Sequence, residues 1–127
     1  MDEIRDGERL LAVVWRDADW LPGLHFCPPD ELFIQVGCWQ YPEGKQLAAH
    51  RHKIYQRDVT QTQEMVYVKR GRMKVRVYGA NAELVAEPVL ETGDMAILAD
   101  CGHGYEILED DTQILEAKNG PFIDVET

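Results

Sequence analysis

An all-β fold is the prediction for this chain of 127 residues. Short β-prone segments recur along its length, residues such as Gly, Pro and Asp separate them, and no stretch of about 12 residues carries a helical apolar stripe. Strands with this spacing are typical of an antiparallel sandwich or barrel.

The first strands are predicted from apolar runs. LLAVVW, residues 10–15, has the length of one strand, and ELFIQVGCWQY, residues 31–41, is bounded by proline-containing turns. Residues 64–79, EMVYVKRGRMKVRVYG, give the clearest hairpin signal, because apolar residues alternate on both sides of Gly71.

Further strands follow towards the carboxyl end. Residues 82–98 contain two β-prone runs, with Pro88 expected at a sheet edge or bulge because it has no amide proton to donate. HGYEIL, residues 103–108, and TQILEA, residues 112–117, are predicted to pair with each other across an acidic turn.

The composition excludes several classes of partner. Acidic residues number 23 and basic residues 13, and the formal charge of −10 would repel phosphate backbones, so no nucleic-acid partner is expected. The charged amino terminus does not resemble a signal peptide, and no apolar run approaches the roughly 18 residues of a membrane span. We therefore expect a cytoplasmic protein with no membrane partner. Cys27, Cys38 and Cys101 are widely spaced and are expected to be small buried thiols.

Two of the four histidines stand one residue apart, as His50 and His52 in GKQLAAHRHKIYQ. On a strand, side chains two residues apart project from one face, about 6.7 Å apart along it, so both imidazoles can approach one ion. Imidazole binds Zn, Fe, Ni or Mn, but two ligands make a weak site, and further donors are needed. The candidates are Glu64 and His103.

The spacing of these residues resembles the two motifs of the cupin superfamily, G-x5-H-x-H…E-x6-G and a later Gly followed by His. The matching residues are Gly44, His50, His52, Glu64 and Gly71 for the first motif, and Gly93 and His103 for the second. The resemblance covers roughly residues 44–108, and the chain looks like a member of a small bacterial cupin subgroup whose members generally lack an assigned activity. Residues 53–63 separate His52 from Glu64 where the family has three or four residues, so a polar loop is expected to leave the barrel and return.

The resemblance implies one domain, an antiparallel jelly-roll β-barrel. Its amino-terminal strands would lie in residues 1–43, the two-motif core in residues 44–108, and a closing strand and tail in residues 109–127. It also implies a metal site for a divalent transition metal, Fe, Mn, Ni or Zn. The implied ligands are His50, His52, Glu64 and His103. A one-residue change in strand register would put Gln63 in the place of Glu64.

Three functions follow as hypotheses. The first is a metal-dependent dioxygenase, decarboxylase or isomerase acting on a small polar metabolite, the range of reactions that the resemblance implies. The second is a non-catalytic module that binds a small molecule or sugar. The third comes from AHRHK, which looks like the active-site stretch of metal-free nucleotide keto-sugar isomerases, where histidine is the acid–base group.

The distribution of basic residues suggests an anionic substrate, and the expected open strand edges suggest a second copy of the chain as partner. Nine of the 13 basic residues lie within residues 45–76. Those at positions 72, 74 and 76 are expected on a solvated outer face, whereas Arg51, Lys53 or Arg57 would help to attract an anionic substrate. A homodimer is expected because barrel edges are often covered by a second copy, and residues 10–15 are a candidate for an exchanged or added strand.

Overall fold

The computed structural model describes residues 1–125, and the chain forms antiparallel sheets almost throughout, which confirms the all-β prediction. One short 3-10 turn, Asp17–Asp19, is the exception among these residues. The strands are β1 Asp2–Asp6, β2 Arg9–Trp15, β3 Gly23–Phe26, β4 Gly37–Gln40, β5 Glu64–Arg70, β6 Arg72–Tyr78, β7 Leu84–Ala86, β8 Val89–Glu91, β9 Met95–Leu98, β10 Gly102–Ile107 and β11 Gln113–Lys118. No helix in the part of the chain described is long and apolar enough to cross a membrane.

Two sheets pack face to face. The first has the strand order β1-β2-β9-β5-β11, and the second has the order β10-β6-β7, with β8 also paired to β6. The main core lies between them, where alternate residues of the central strands meet. It contains Leu11, Ala12, Val14, Val66, Val68, Met73, Val75, Val77, Leu90, Ala96 and Leu98.

A second apolar cluster covers the outer face of the five-stranded sheet. The β3–β4 hairpin and the turns around it pack there on residues such as Val13, Met95 and Ile97. The thiols of Cys27 and Cys38 are buried in this cluster, as predicted, whereas Cys101 is partly exposed. Only residues 37–40 of the predicted strand 31–41 form a strand. The residues before them are held in a turn, because the side-chain Nε2 of Gln35 donates to the backbone carbonyls of Pro29 and Leu32.

The predicted hairpin at residues 64–79 is wrong in its pairing. Both strands exist, but β5 pairs with β9 and β11, whereas β6 pairs with β10, β7 and β8. The chain therefore crosses from one sheet to the other at Gly71, whose φ is +103° and whose position has no room for a Cβ beside Thr112. Apolar residues alternate on both sides of Gly71 because β5 and β6 lie in opposite sheets and each buries one face in the core between them. The alternation does not mean that the two strands pair with each other.

The predicted pairing of residues 103–108 with 112–117 is wrong for the same reason. Here β10 pairs with β6, while β11 pairs with β5, so the acidic turn between them is a second crossing between the sheets. Apolar alternation specifies which face of a strand is buried but leaves the neighbouring strand undetermined. The hydroxyl of Thr112 accepts a bond from the Arg72 amide, and the hydroxyl of Thr92 accepts one from the Gly71 amide.

The sheets do not close into a barrel within residues 1–125, so the jelly roll stays a prediction. Residues 41–63, where the sequence predicts a strand through His50 and His52, form no strand. The run 10–15, considered as an exchanged strand, is instead β2 and lies between β1 and β9 of its own chain. The basic residues 72, 74 and 76 of β6 alternate with buried Met73, Val75 and Val77, as predicted for an outer face.

Candidate functional site

Glu64 and His103 meet at one end of the space between the sheets. Glu64 begins β5 in the same alternation as the core residues Val66 and Val68, so its side chain faces inwards. His103 lies opposite core residue Val77 in the β10–β6 pair and faces inwards as well. Its Nε2 is 2.7 Å from Glu64 Oε1.

The surroundings of this pair favour its charged form. The Glu64 side chain is only 8% exposed, and its Oε1 also accepts a 2.6 Å hydrogen bond from the Tyr105 hydroxyl. The bond from His103 holds the pKa of Glu64 down, at about 2, and the Tyr105 bond acts in the same direction. Contacts with the Cys101 sulfur and with Glu64 raise the pKa of His103 to about 10. The structure therefore holds an imidazolium against a carboxylate at neutral pH.

Two residues of β11 complete the polar group. Glu116 and Lys118 lie opposite Val66 and Glu64 in the β11–β5 pair and so share the inward face. A hydrogen bond to Glu64 raises the pKa of Glu116, because one proton shared by two close carboxyl groups relieves their repulsion. The Lys118 ammonium lies 3.9 Å from Glu64 Oε2 and 3.7 Å from Glu116 Oε1.

A cavity of about 350 Å³ adjoins this group. Glu64, His103 and Lys118 supply its polar wall, and the segment 119–125 supplies a largely apolar wall that includes Phe122 and Ile123. Convergent charged groups opposite apolar side chains are typical of sites for small polar ligands. This arrangement can donate a proton from His103, accept one at a carboxylate, and attract an anion through Lys118.

The structure also separates Glu64 from its neighbour Gln63. The side-chain oxygen Oε1 of Gln63 accepts hydrogen bonds from the backbone amides of Phe33, at 2.8 Å, and Ile34, at 3.3 Å. Its side chain is therefore engaged with the turn before β4, and Glu64 is the residue beside His103.

His50 and His52 do not join this pair in the structure. Their rings lie 5.0 Å apart, centroid to centroid, on an exposed stretch without strand structure, and the Nδ1 of His50 is hydrogen-bonded to the Ala48 carbonyl. Across residues 1–125, no three or more His, Cys, Asp or Glu side chains are arranged to hold a metal ion. Two of the four predicted ligands are thus together, and the complete metal site stays a prediction.

Sequence reasoning missed the roles of Tyr105, Glu116 and Lys118. The available signal was alternation: Tyr105 follows His103 by two residues, and Ile114, Glu116 and Lys118 share one face of a strand. Comparison with protein families, with curated proteins and with solved structures found no match to this chain. The case for a function therefore depends on the residues of the site.

Proposed function

We propose that this chain is a cupin-like protein that binds a small polar or anionic metabolite between its two sheets. The observation that carries the proposal is the contact between Glu64 and His103, far apart in the sequence, beside a cavity of about 350 Å³. Lys118 gives the site a cation for a carboxylate or phosphate group of the ligand. Burial of Glu64 also makes its interactions stronger than those of a surface carboxylate.

The sheet topology is compatible with a jelly roll in which a further strand joins the two sheets. Within residues 1–125, β11 pairs with β5 alone and β10 pairs with β6 alone, so both sheets end in an open edge at the site. A strand from residues 41–63 added to such an edge would extend the sandwich towards a barrel. The cupin pattern expects a strand through His50 and His52 at this point in the chain.

The proposed cofactor is a divalent transition metal, Fe, Mn, Ni or Zn. Glu64 and His103 would supply two of the ligands. Among the described residues the four side chains do not lie close enough together to bind one ion, so His50 and His52 would have to move towards Glu64 and His103. Such an ion supplies Lewis-acid or redox chemistry when bound. Tyr105 would orient the Glu64 carboxylate, and Lys118 would hold an anionic group of the substrate.

Metal analysis of protein purified without chelators tests this proposal. We expect about one equivalent of a transition metal per chain in the wild type and less than about a tenth in His103→Ala. His25→Ala is the matched control, because His25 lies on β3 with its ring bonded to the Pro22 carbonyl, away from the cavity lining. A wild-type protein with less than about a tenth of an equivalent would overturn the metal site.

A second candidate is acid–base catalysis without a metal, and the charged Glu64–His103 pair favours it. His103 would donate a proton to the substrate and Glu64 or Glu116 would accept one, as in an isomerisation. Turnover in the presence of a chelator, lost in His103→Gln and retained in His25→Gln, would support this function. Stabilisation by a ligand that is not consumed would instead support a non-catalytic binding module.

A further inference from the structure

Cys27 and Cys38 lie in contact at the loop end of the β3–β4 hairpin. Their Sγ atoms are 3.2 Å apart, and each residue is 4% exposed. Cys27 directly follows β3 and its amide donates to the Val36 carbonyl, while Cys38 lies in β4, so the pairing of the hairpin holds the two thiols side by side. The sulfurs need to approach by about 1 Å to reach bonding distance, which rotation of the two side chains can supply.

A cavity of about 230 Å³ adjoins one of these two cysteines. Within residues 1–125, Cys38 belongs to the cavity wall and Cys27 does not. Met65 and Met95, from the outer face of the five-stranded sheet, form another part of the wall. A space of this size admits a small polar molecule such as a peroxide. Cys38 is therefore the thiol that such a molecule meets first.

The surroundings of Cys27 suit it to the second step of a two-step oxidation. Burial raises the pKa of the Cys27 thiol, and its contact with Cys38 acts in the same direction. A thiol attacks an oxidant as the thiolate, so a thiol that stays protonated is a poor first nucleophile. A sulfenic acid on a neighbouring cysteine, by contrast, condenses readily with a thiol that already touches it.

The third cysteine lies apart from this pair. Cys101 packs against the main core between the two sheets, whereas Cys27 and Cys38 belong to the apolar cluster on the outer face of the five-stranded sheet. Cys101 is also more exposed than either of them. It therefore serves as an internal control for oxidation that follows exposure alone.

We propose that Cys27 and Cys38 form a redox-sensitive modification site, at which hydrogen peroxide converts the two thiols into a reversible disulfide. The Cys38 sulfur attacks one peroxide oxygen, the O–O bond breaks, and the departing hydroxide leaves as water with the Cys38 thiol proton. The Cys27 sulfur then attacks the sulfenic sulfur of Cys38, the S–O bond breaks, and the hydroxyl group leaves as a second water with the Cys27 proton. Two thiols thus give two electrons to one peroxide molecule, and a dithiol reductant reverses the change by exchange.

The disulfide would hold both ends of the loop that lies between the two cysteines. Within this loop the amides of Phe33 and Ile34 donate to Oε1 of Gln63, the residue next to Glu64. Hydrogen exchange at these two amides should therefore slow by about threefold or more in the oxidised protein. Equal exchange in the oxidised and reduced proteins would overturn this effect on the loop.

Peptide mapping of the wild-type protein tests the modification directly. The folded protein is treated with hydrogen peroxide, free thiols are blocked with an alkylating agent, and the digest is analysed by mass spectrometry. We expect a linked peptide pair that contains Cys27 and Cys38, lighter than the two free peptides by two hydrogens, which dithiothreitol converts back to free thiols. Oxygen added to Met65, Met95 or Cys101 while Cys27 and Cys38 stay open to alkylation after unfolding would overturn the proposal.

Two single variants assign the roles of the cysteines. In Cys27→Ala the reaction should stop at a sulfenic acid on Cys38, which dimedone captures. In Cys38→Ala the capture at Cys27 should be about tenfold slower or more, because Cys27 lies outside the cavity wall and its thiol stays protonated. Equal rates of capture in the two variants would overturn this order of reaction. The wild-type experiment stands independently of whether either variant folds.

Thermal unfolding supplies a further measurement. A disulfide that fits the folded hairpin restricts the unfolded chain, so oxidation should raise the Tm of the wild type by about 5–10 °C. Cys101→Ala is the matched control and should show the same increase, whereas Cys27→Ala should show none. An oxidised wild type with an unchanged or lower Tm would overturn the proposal that the folded hairpin accommodates the bond. These results involve neither a metal nor a ligand, so they stand or fall separately from the proposed function.

Discussion

The contact between His103 and Glu64 should make the stability of the protein fall as pH rises above neutrality. The folded-state pKa of His103 is raised to about 10, through its contacts with Cys101 and Glu64, from an ordinary value of 6.5. A group with a raised pKa contributes stability that is complete below pH 6.5 and is lost as pH rises towards about 10. The pKa of Glu64 is lowered to about 2, so the same contact is also lost as pH falls from about 4.5 towards 2.

The magnitude follows from the exposure of the two side chains. One pKa unit corresponds to about 1.4 kcal/mol, but the His103 side chain is 31% exposed and solvent weakens its interactions. A hydrogen bond between charged groups contributes about 1.5–3 kcal/mol. We therefore expect a loss of about 2 kcal/mol in the free energy of unfolding between pH 6.5 and about pH 10. Burial raises the pKa of Tyr105, so its hydroxyl stays neutral in this range.

Urea denaturation followed by tryptophan fluorescence measures this effect, in protein treated with a chelator so that no bound ion competes with the proton. The wild type and His25→Gln should both lose about 2 kcal/mol more over the range than His103→Gln, because groups such as the buried Cys27 thiol, whose pKa burial raises, titrate alike in all three proteins. If the free energy of unfolding fell equally with pH in all three proteins, the assignment of an imidazolium–carboxylate pair to the site would be refuted.

Three further substitutions test the fold around the site. Gly71→Ala should cost about 2–4 kcal/mol, because φ is +103° and a Cβ has no room there, whereas Gly7→Ala, at φ +61° in open space, should cost about 1 kcal/mol. Leu90→Ala should lower the free energy of unfolding by about 2–5 kcal/mol, and exposed Leu84→Ala by less than about 1 kcal/mol. Asp94→Ala should cost about 2–4 kcal/mol, because this nearly buried carboxylate accepts bonds from one guanidinium and two backbone amides. Thermal or chemical denaturation measures each loss of stability. Equal losses for Gly71→Ala and Gly7→Ala, or for Leu90→Ala and Leu84→Ala, would contradict the packing described.

The candidate site could be predicted in part because its residue types carry the chemistry. The sequence predicts His103 and Glu64 as site residues because their spacing from the other histidines and the glycines resembles the cupin motifs, and the two side chains do lie in contact. Glu116 and Lys118 were not selected, because a charged residue on a strand near the carboxyl end is usually solvated. Their position beside Glu64 depends on β11 pairing with β5, which no local pattern specifies.

The sequence by itself determined that this chain is built from strands, and it determined which side of several of them is buried. Alternation of Val66, Val68, Met73, Val75 and Val77 is a local property with a period of two, so it is visible without knowledge of the partner strand. Tertiary structure alone decided that β5 and β6 belong to opposite sheets, because sheet pairing depends on contacts between residues distant in the sequence. The same pairing brings Glu64 to His103 and leaves the edge of β10 open beside them.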